Sequence, residues 1–128
     1  MSQISPLDIA AVQQALRAFA DERDWQQFHG PKNLVMALSA EVGELAEVFQ
    51  WLSPAQSAAI MTEPKRAQAV RDELADVLNY VLRIADVLDI DLHDAVWAKI
   101  ANNAAKYPVE LARGRADKYT DFAGDADS

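Results

Sequence analysis

The stretch Ala40–Trp51, AEVGELAEVFQW, decides the fold prediction because its apolar residues and those beside it recur with the period of an α-helix. At about 100° per residue from Leu34, the positions between about 0° and 80° are Leu38, Val42, Leu45, Phe49 and Leu52. Glu41 falls near about −20°, inside this apolar stripe, and Glu44 falls near about −80°, on its flank. A lone carboxylate on a buried face costs several kcal/mol unless it is protonated or paired. We therefore expect another group to compensate the charge of Glu41.

A second pair of carboxylates, also three residues apart, lies in the segment 71–80, RDELADVLNY. On the same helical pitch Glu73, Asp76 and Tyr80 lie along one edge of an apolar stripe. If the two helices pack face to face, one site contains four carboxylates, which are Glu41, Glu44, Glu73 and Asp76. A hard divalent cation would offset their repulsion, and Mg²⁺ prefers carboxylate oxygens and water. The pattern therefore favours a magnesium site.

Two other interpretations of these carboxylates stay open from the pattern alone. Pairs of acids spaced by three residues are common on solvated helix faces, where they bind no metal. A carboxylate-bridged di-iron protein is the second alternative, but its sites use Glu-x-x-His. The two histidines, His29 and His93, are isolated, and each is more typical of a loop or a helix cap than of a metal ligand.

The remainder of the chain also predicts helices and contains no strand pattern, so we expect an all-α fold. The predicted main helices run from Pro6, capped by Ser5, to about Arg23, and then over about 32–52, 64–88 and 92–106, with a short segment at about 54–61. We expect these four helices to pack as an antiparallel bundle in a single domain, 1–128. An extended arm follows from residue 109, and 122–128 is predicted to be a frayed tail. The surplus of apolar residues favours an oligomer, a dimer or homotetramer, over a compact monomer.

Composition excludes several classes of partner. The net charge is −8 and no stretch is basic, which argues against binding to polymeric nucleic acid. No run of eighteen apolar residues predicts a membrane span, and the first residues, MSQISPLDIAAVQQ, do not predict a signal peptide. There is no cysteine, so disulfides and thiolate metal sites are excluded. Together these features favour the cytoplasm, and a small phosphate compound stays a candidate ligand if metal cations offset the charge.

Five segments resemble the MazG-like all-α nucleoside triphosphate pyrophosphohydrolases, and within them the dCTP pyrophosphatases. These segments are FADERDWQQFHGPKNL at 19–34, AEVGELAEVFQW at 40–51, DELADVLNYVLRIA at 72–85, DLHDAVWAKIANNAAKYP at 91–108 and LARGRADKY at 111–119. The match extends over about 7–122. The resemblance implies hydrolysis of a nucleoside triphosphate to a monophosphate and diphosphate, with Mg²⁺ bound by Glu41, Glu44, Glu73 and Asp76. Glu41 or Glu44 is then the candidate that accepts the proton of the attacking water.

The same resemblance implies five substrate-binding residues. Trp25 and Trp51 match aromatic residues at the pyrimidine pocket, and Tyr80 matches a position beside the deoxyribose. Lys99 and Asn103, one helical turn apart, match positions that hold the phosphates and the nucleotide. The alternative roles are a core or interface aromatic for each tryptophan and a solvated surface residue for Lys99.

One departure from the family pattern concerns base preference. Leu16 stands nine residues before Trp25, where the family often has histidine. Unmodified dCTP, a 5-substituted dCTP and other dNTPs such as dUTP therefore remain candidate substrates. A non-catalytic helical interaction module is the alternative from another class, although the presence of all four acidic residues argues against it.

Overall fold

A computed structural model describes residues 3–125 of the chain, with side chains described through Phe122. Its α-helices are α1 Ile9–Glu22, α2 Pro31–Phe49, α3 Pro54–Ala58, α4 Pro64–Val87, α5 Leu92–Lys106 and α6 Val109–Ala112. Short 3₁₀ helices span Gln26–Phe28, Ile60–Thr62 and Tyr119–Asp125. Within this part of the chain there is no β-strand, so the all-α prediction is confirmed.

Side-chain caps determine where several helices begin. Helix α1 is capped by Asp8, whose carboxylate accepts a hydrogen bond of 3.0 Å from the backbone N–H of Ala11. The predicted cap at Ser5 was therefore wrong by one turn, because Asp8 supplies the acceptor for the first free N–H groups. Helix α3 begins with a capping box formed by Ser53 and Gln56. Asp91 caps α5 as predicted.

The C-terminal ends of α1 and α4 share one backbone geometry. After α1, Asp24 takes φ 53°, and the N–H of Trp25 returns to the carbonyl of Ala20 at 2.9 Å. After α4, Asp89 takes φ 55°, and the N–H of Ile90 returns to Ala85 at 2.8 Å. Both ends are Schellman turns with an aspartate at the left-handed position that usually favours glycine. The first of these turns places Trp25 beside α1.

The chain forms two compact units, one ending at Ile90 and the other starting at Asp91. In the first unit α2 and α1 both pack on α4, and the contact between α2 and α4 is the more extensive of the two. The buried apolar residues of this unit are Ala20, Leu34, Ile60, Ala67, Val70, Leu82 and Ala85. Several positions predicted for the core stay half-exposed in the single chain, among them Val42 and Leu74. The apolar stripes on α2 and α4 therefore extend beyond the surface that contacts within this chain bury.

The second unit contains α5, α6 and the last 3₁₀ helix. Its buried aromatic residue, Phe122, lies edge-on to Tyr107 with ring centroids 5.7 Å apart. The segment after residue 108 is thus not an extended arm throughout, because α6 and the helix Tyr119–Asp125 interrupt it. Of the tail predicted to be frayed, 126–128 lie outside the described residues. Because α5 belongs to this unit, the four-helix bundle and the single domain stay predictions.

None of the described helices combines the length and the apolar character needed to cross a membrane.

Candidate active site

Three carboxylates converge where α2 packs along α4. Glu41 projects from α2, and Glu73 and Asp76 project from α4 one turn apart. One oxygen from each of the three carboxylates lies within 4.8 Å of the others. Separations of this size allow a single cation to contact several of these oxygens, which is how hard divalent ions bind in proteins.

Burial and mutual repulsion both act on this acidic cluster, which we define as Glu41, Glu73 and Asp76. The Oε2 atoms of Glu41 and Glu73 are buried and have no hydrogen-bond partner in the part of the chain that the structure describes. Burial, followed by the adjacent Glu44 carboxylate and the other two acids, raises the pKa of Glu41 to about 7. Burial and Glu44 also raise the pKa of Glu73. A buried acceptor without a donor is costly, so these two oxygens suit a bound cation.

The negative field of the cluster extends to Tyr80, one turn after Asp76 on α4. Burial raises the pKa of the Tyr80 phenol, and Glu41, Asp76 and Glu44 raise it further. The phenol therefore stays protonated at neutral pH and can donate a hydrogen bond.

A cavity of about 290 Å³ opens beside the cluster, and Asp76 and Tyr80 belong to its wall. Its apolar wall is formed by Leu16, Phe19 and Trp25. The Phe19 and Trp25 rings meet edge to face with centroids 5.6 Å apart, which gives the wall a defined aromatic surface.

The polar wall of the cavity consists of His29, Asn79 and Arg83. Arg83 is only 5% exposed, and its guanidinium donates hydrogen bonds to three side chains. Its Nε donates to Nδ1 of His29 at 3.2 Å, and its Nη2 donates to Oε1 of Gln26 at 2.6 Å. Its Nη1 donates to Oδ2 of Asp86 at 3.2 Å. A buried guanidinium is thus paired with a carboxylate and with the segment that follows α1.

Asp86 connects this arginine to α1. Its Oδ1 accepts a bond of 2.6 Å from Nη2 of Arg17, and Nε of Arg17 donates to Oδ2 at 3.0 Å. The hydrogen bond from Arg17, and then the charges of both arginines, hold the pKa of Asp86 below its ordinary value. Burial and the positive charge of Arg83 lower the pKa of His29. The network therefore fixes α1 and the loop after it against α4.

The sequence model of the MazG-like family matches residues 36–122. The chain belongs to the MazG-like family. Two curated relatives are named dCTP pyrophosphatase 1: the protein of Rattus norvegicus is 52% identical over 104 residues, and that of Homo sapiens is 45% identical over 104 residues. Each match covers 81% of this chain and 61% of the relative, so the chain spans about three-fifths of the length of these relatives. A crystal structure of a pyrophosphatase from Archaeoglobus fulgidus DSM 4304 superposes with TM-score 0.74 and 37% identity, covering 84% of this chain and 99% of that one.

The structure of this MazG-like chain brings together five of the residues selected from sequence. Glu41, Glu73 and Asp76 form the acidic cluster, and Trp25 and Tyr80 line the cavity with Asp76. Glu44 lies at the exposed edge of the cluster, close enough to raise the pKa of Glu41 but outside the group of three.

The other selected residues are not brought to this cavity within the first unit. Trp51 is 86% exposed and is not among the residues that line the cavity. Lys99 and Asn103 are exposed residues of α5, in the second unit. Their roles in substrate binding stay predictions.

Four residues of the cavity were not selected from sequence as site residues: Phe19, His29, Asn79 and Arg83. The sequence could have indicated Asn79 and Arg83, because they follow Asp76 by three and seven residues and so lie on the same side of the helix. Leu16, noted only as a departure from the family pattern, lies in the apolar wall of the same cavity.

Proposed function

We propose that this chain is a Mg²⁺-dependent nucleoside triphosphate pyrophosphohydrolase, which converts a (d)NTP and water to the (d)NMP and diphosphate. The observation that supports this most directly is the position of Asp76, which belongs both to the acidic cluster and to the cavity wall. The carboxylates that would hold a cation are therefore next to the cavity that would hold an organic ring. The curated relatives named dCTP pyrophosphatase 1 support the same reaction class.

The residues of the cluster fit a hard divalent cation. Two buried carboxylate oxygens have no donor within the described part of the chain, and oxygen is the ligand atom that Mg²⁺ prefers. Glu41, Glu73 and Asp76 would hold the ion, and Glu44 would complete the set at the exposed edge. Once bound, the ion would offset the charge of the triphosphate and polarise the phosphoryl oxygens.

The residues of the chain itself would direct the attack of water on the α-phosphorus. The water oxygen forms a bond to this phosphorus, the bond to the bridging oxygen breaks, and diphosphate leaves. A carboxylate must accept the proton that the water loses, and Glu41 and Glu44 are our candidates. Glu44 is exposed, so a water molecule can reach its oxygens.

We propose a preference for a pyrimidine deoxynucleotide, dCTP or a 5-modified dCTP, with dUTP as the alternative. The cavity of about 290 Å³ is at the lower limit of ligand pockets, which favours a single-ring base over a purine. Trp25 offers an aromatic surface for the base. The half-buried Tyr80 ring, one turn from Asp76, is proposed to pack against the deoxyribose, where a 2′-hydroxyl would lack room.

We further propose that the protein works as a homo-oligomer, a dimer or tetramer, in the cytoplasm, where it removes unwanted nucleotides from the pool. Apolar side chains on α2 and α4 stay exposed in the single chain, including Met36 at 62% and Leu74 at 53%. Trp51, at the end of α2, would then reach the site of a neighbouring subunit. Lys99 and Asn103 are proposed to bind the phosphates.

The test is diphosphate release from a panel of NTPs and dNTPs, each with Mg²⁺ and with EDTA. We expect magnesium-dependent release that is highest with dCTP or a 5-substituted dCTP. Asp76→Asn should lower the rate at least about a hundredfold, since the loss of a residue that only supports a metal ligand already costs about 10–100-fold. Asp72→Asn is the matched control, because Asp72 is an exposed acid of the same helix outside the cluster. Absence of release from every nucleotide would contradict the proposal and favour an interaction module.

A further inference from the structure

The hydrogen bond between Arg83 and His29 determines where the imidazole carries its proton. Arginine has only donor N–H groups and stays charged in proteins. Since Nε of Arg83 donates to Nδ1 of His29 at 3.2 Å, Nδ1 must accept and cannot carry a proton. The neutral ring then has its proton on Nε2. Protonation of Nδ1 would break this bond and place two positive charges side by side, which is consistent with the lowered pKa of His29.

This tautomer gives the cavity one defined donor. Nδ1 is occupied by Arg83, so any hydrogen bond from His29 to a molecule in the cavity must be donated by Nε2. The guanidinium is buried and is also held by Gln26 and Asp86, so it cannot easily swing away from the ring. The positive charge of the Arg83 guanidinium, next to Nδ1, also polarises the ring and strengthens Nε2–H as a donor.

The position of Arg83 along α4 relates this donor to the acidic cluster. Arg83 follows Asp76 by seven residues, which is about 10 Å along the helix axis. A nucleotide whose phosphates lie at Asp76 can span such a distance with its sugar and base. His29 also lies next to Trp25, with ring centroids 6.3 Å apart, so its donor is beside the aromatic wall.

We propose that His29 is a specificity-determining residue that donates Nε2–H to the ring carbonyl oxygen of a pyrimidine base, with Arg83 as the positioning residue that fixes the tautomer. The proposal rests on the proposed function of the site. In cytosine the only ring carbonyl oxygen is O2, so recognition of this base by His29 would depend on a hydrogen bond to O2. An exocyclic amino group or a ring N–H at this position would meet another donor and would be rejected.

The tautomer is tested without any nucleotide, by two-bond ¹H–¹⁵N correlation spectra of the imidazoles in the wild-type protein. We expect the cross-peak pattern of a ring protonated on Nε2 alone for His29. His93, an exposed histidine of α5, supplies the reference in the same spectrum. Arg83→Met should convert the His29 pattern to a mixture of tautomers. A proton on Nδ1 of wild-type His29, or an unchanged pattern in Arg83→Met, would overturn the proposal.

The contact with the base is tested by calorimetry with α,β-methylene-dCTP and with inorganic tripolyphosphate, both with Mg²⁺. His29→Phe keeps a ring but has no donor, and it should weaken the nucleotide about tenfold while leaving tripolyphosphate unchanged. His29→Gln offers both an acceptor for Arg83 and an N–H for the base, so it should recover most of the affinity. His93→Phe is the matched control and should alter neither ligand.

Replacement of O2 gives the last comparison. Wild-type kcat/KM should be about tenfold higher for dCTP than for 2-thio-dCTP, because sulfur accepts hydrogen bonds poorly, and the ratio should fall to about one in His29→Phe. Equal losses for dCTP analogue and tripolyphosphate in His29→Phe would indicate a structural role and overturn this proposal alone. Binding of tripolyphosphate but of no nucleotide to the wild-type protein would overturn the proposed function as well.

Discussion

Replacement of Glu41 by glutamine should stabilise the metal-free protein at pH 8 while removing magnesium binding. Glu41 is the acid whose buried Oε2 has no partner in the described residues and whose pKa burial and neighbouring carboxylates raise to about 7. At pH 8 this side chain is charged in the folded protein despite that environment. A neutral amide of nearly the same shape avoids the cost.

The magnitude follows from the two pKa values. The ordinary value is 4.5 and the folded value is about 7, and each tenfold change in proton affinity corresponds to about 1.4 kcal/mol. The upper limit is therefore about 3.5 kcal/mol, and solvent screening of a partly exposed side chain lowers it to about 1–2 kcal/mol. Because the folded state binds the proton more tightly, wild-type stability should be greatest below about pH 4.5 and should fall as the pH rises to about 7.

The assay is urea unfolding of the metal-free protein at pH 5 and pH 8, with and without Mg²⁺. Glu41→Gln should be more stable than wild type at pH 8, and the difference should be much smaller at pH 5, where Glu41 is mostly protonated in the folded protein. Mg²⁺ at pH 8 should stabilise the wild-type protein and leave the variant almost unchanged, since only a ligand of the folded state shifts the equilibrium. Glu47→Gln, an exposed acid of the same helix, is the matched control and should behave as wild type.

Two results would refute this reasoning. A Glu41→Gln variant that is less stable than wild type in EDTA at pH 8 would mean that the ionised carboxylate has a favourable partner, so the acidic cluster would not be a strained cation site. A variant that keeps the full stabilisation by Mg²⁺ would show that Glu41 is not a ligand. An equally large effect of Glu47→Gln would mean that net charge, and not the cluster, controls stability.

Three further predictions concern the network, a helix end and the exposed tryptophan. Arg83→Met should lower the free energy of unfolding by about 2–4 kcal/mol in urea, because it removes a buried guanidinium together with its hydrogen bonds to Gln26, His29 and Asp86; a loss under about 1 kcal/mol would contradict the role of the network. Asp89→Gly should raise the free energy of unfolding by about 0.5–1 kcal/mol, since φ 55° is unfavourable for aspartate, whereas Asp89→Val should lower it; the opposite order would refute the Schellman assignment. Trp51→Ala should weaken binding of α,β-methylene-dCTP and of the subunits to one another while Mg²⁺ affinity stays unchanged, as measured by calorimetry and sedimentation; equal losses of nucleotide and metal would indicate a structural defect.

The acidic cluster could be predicted because both of its helices are amphipathic and helical phase is a local property. Placing Glu41 inside the stripe of α2, and Glu73 and Asp76 beside the stripe of α4, needs only the 100° rotation per residue. That α2 packs along α4 then follows from burying the two stripes together. The prediction placed four carboxylates together, and oxygens of three of them, Glu41, Glu73 and Asp76, lie within 4.8 Å of one another.

The polar wall of the cavity could not be predicted in the same way. Arg83 falls about 140° from the centre of the α4 stripe at 100° per residue, on the side where a lone helix meets solvent. It is buried because the segment after α1 covers this side and supplies Gln26 and His29 as partners. The burial thus depends on a tertiary contact between residues more than fifty positions apart, which no local periodicity indicates.

The turn that follows α1 differs from the loop predicted for it, because its left-handed position is occupied by aspartate. The segment 24–32 predicted a plain loop, since no glycine precedes Gly30 to mark a Schellman turn. Asp24 occupies the left-handed position, and the resulting turn carries Trp25 back toward Phe19. Aspartate is the less common choice there because it tolerates, but does not prefer, a positive φ. Trp25 lines the cavity, but its placement depends on a backbone conformation that the types of the neighbouring residues do not indicate.

The spacing of functional residues along α4 explains how one helix can serve both ends of a nucleotide. Glu73, Asp76, Tyr80 and Arg83 follow one another at intervals of three, four and three residues, which keeps them on one side of the helix. From the first to the last the axis advances about 15 Å, and the charge changes from negative to positive. The negative end suits a cation with its phosphates, the phenol lies between, and the positive end fixes a neutral imidazole. A substrate shorter than a nucleoside triphosphate would reach only one end, and therefore the order of these residues, more than any one of them, argues for a nucleotide as the ligand.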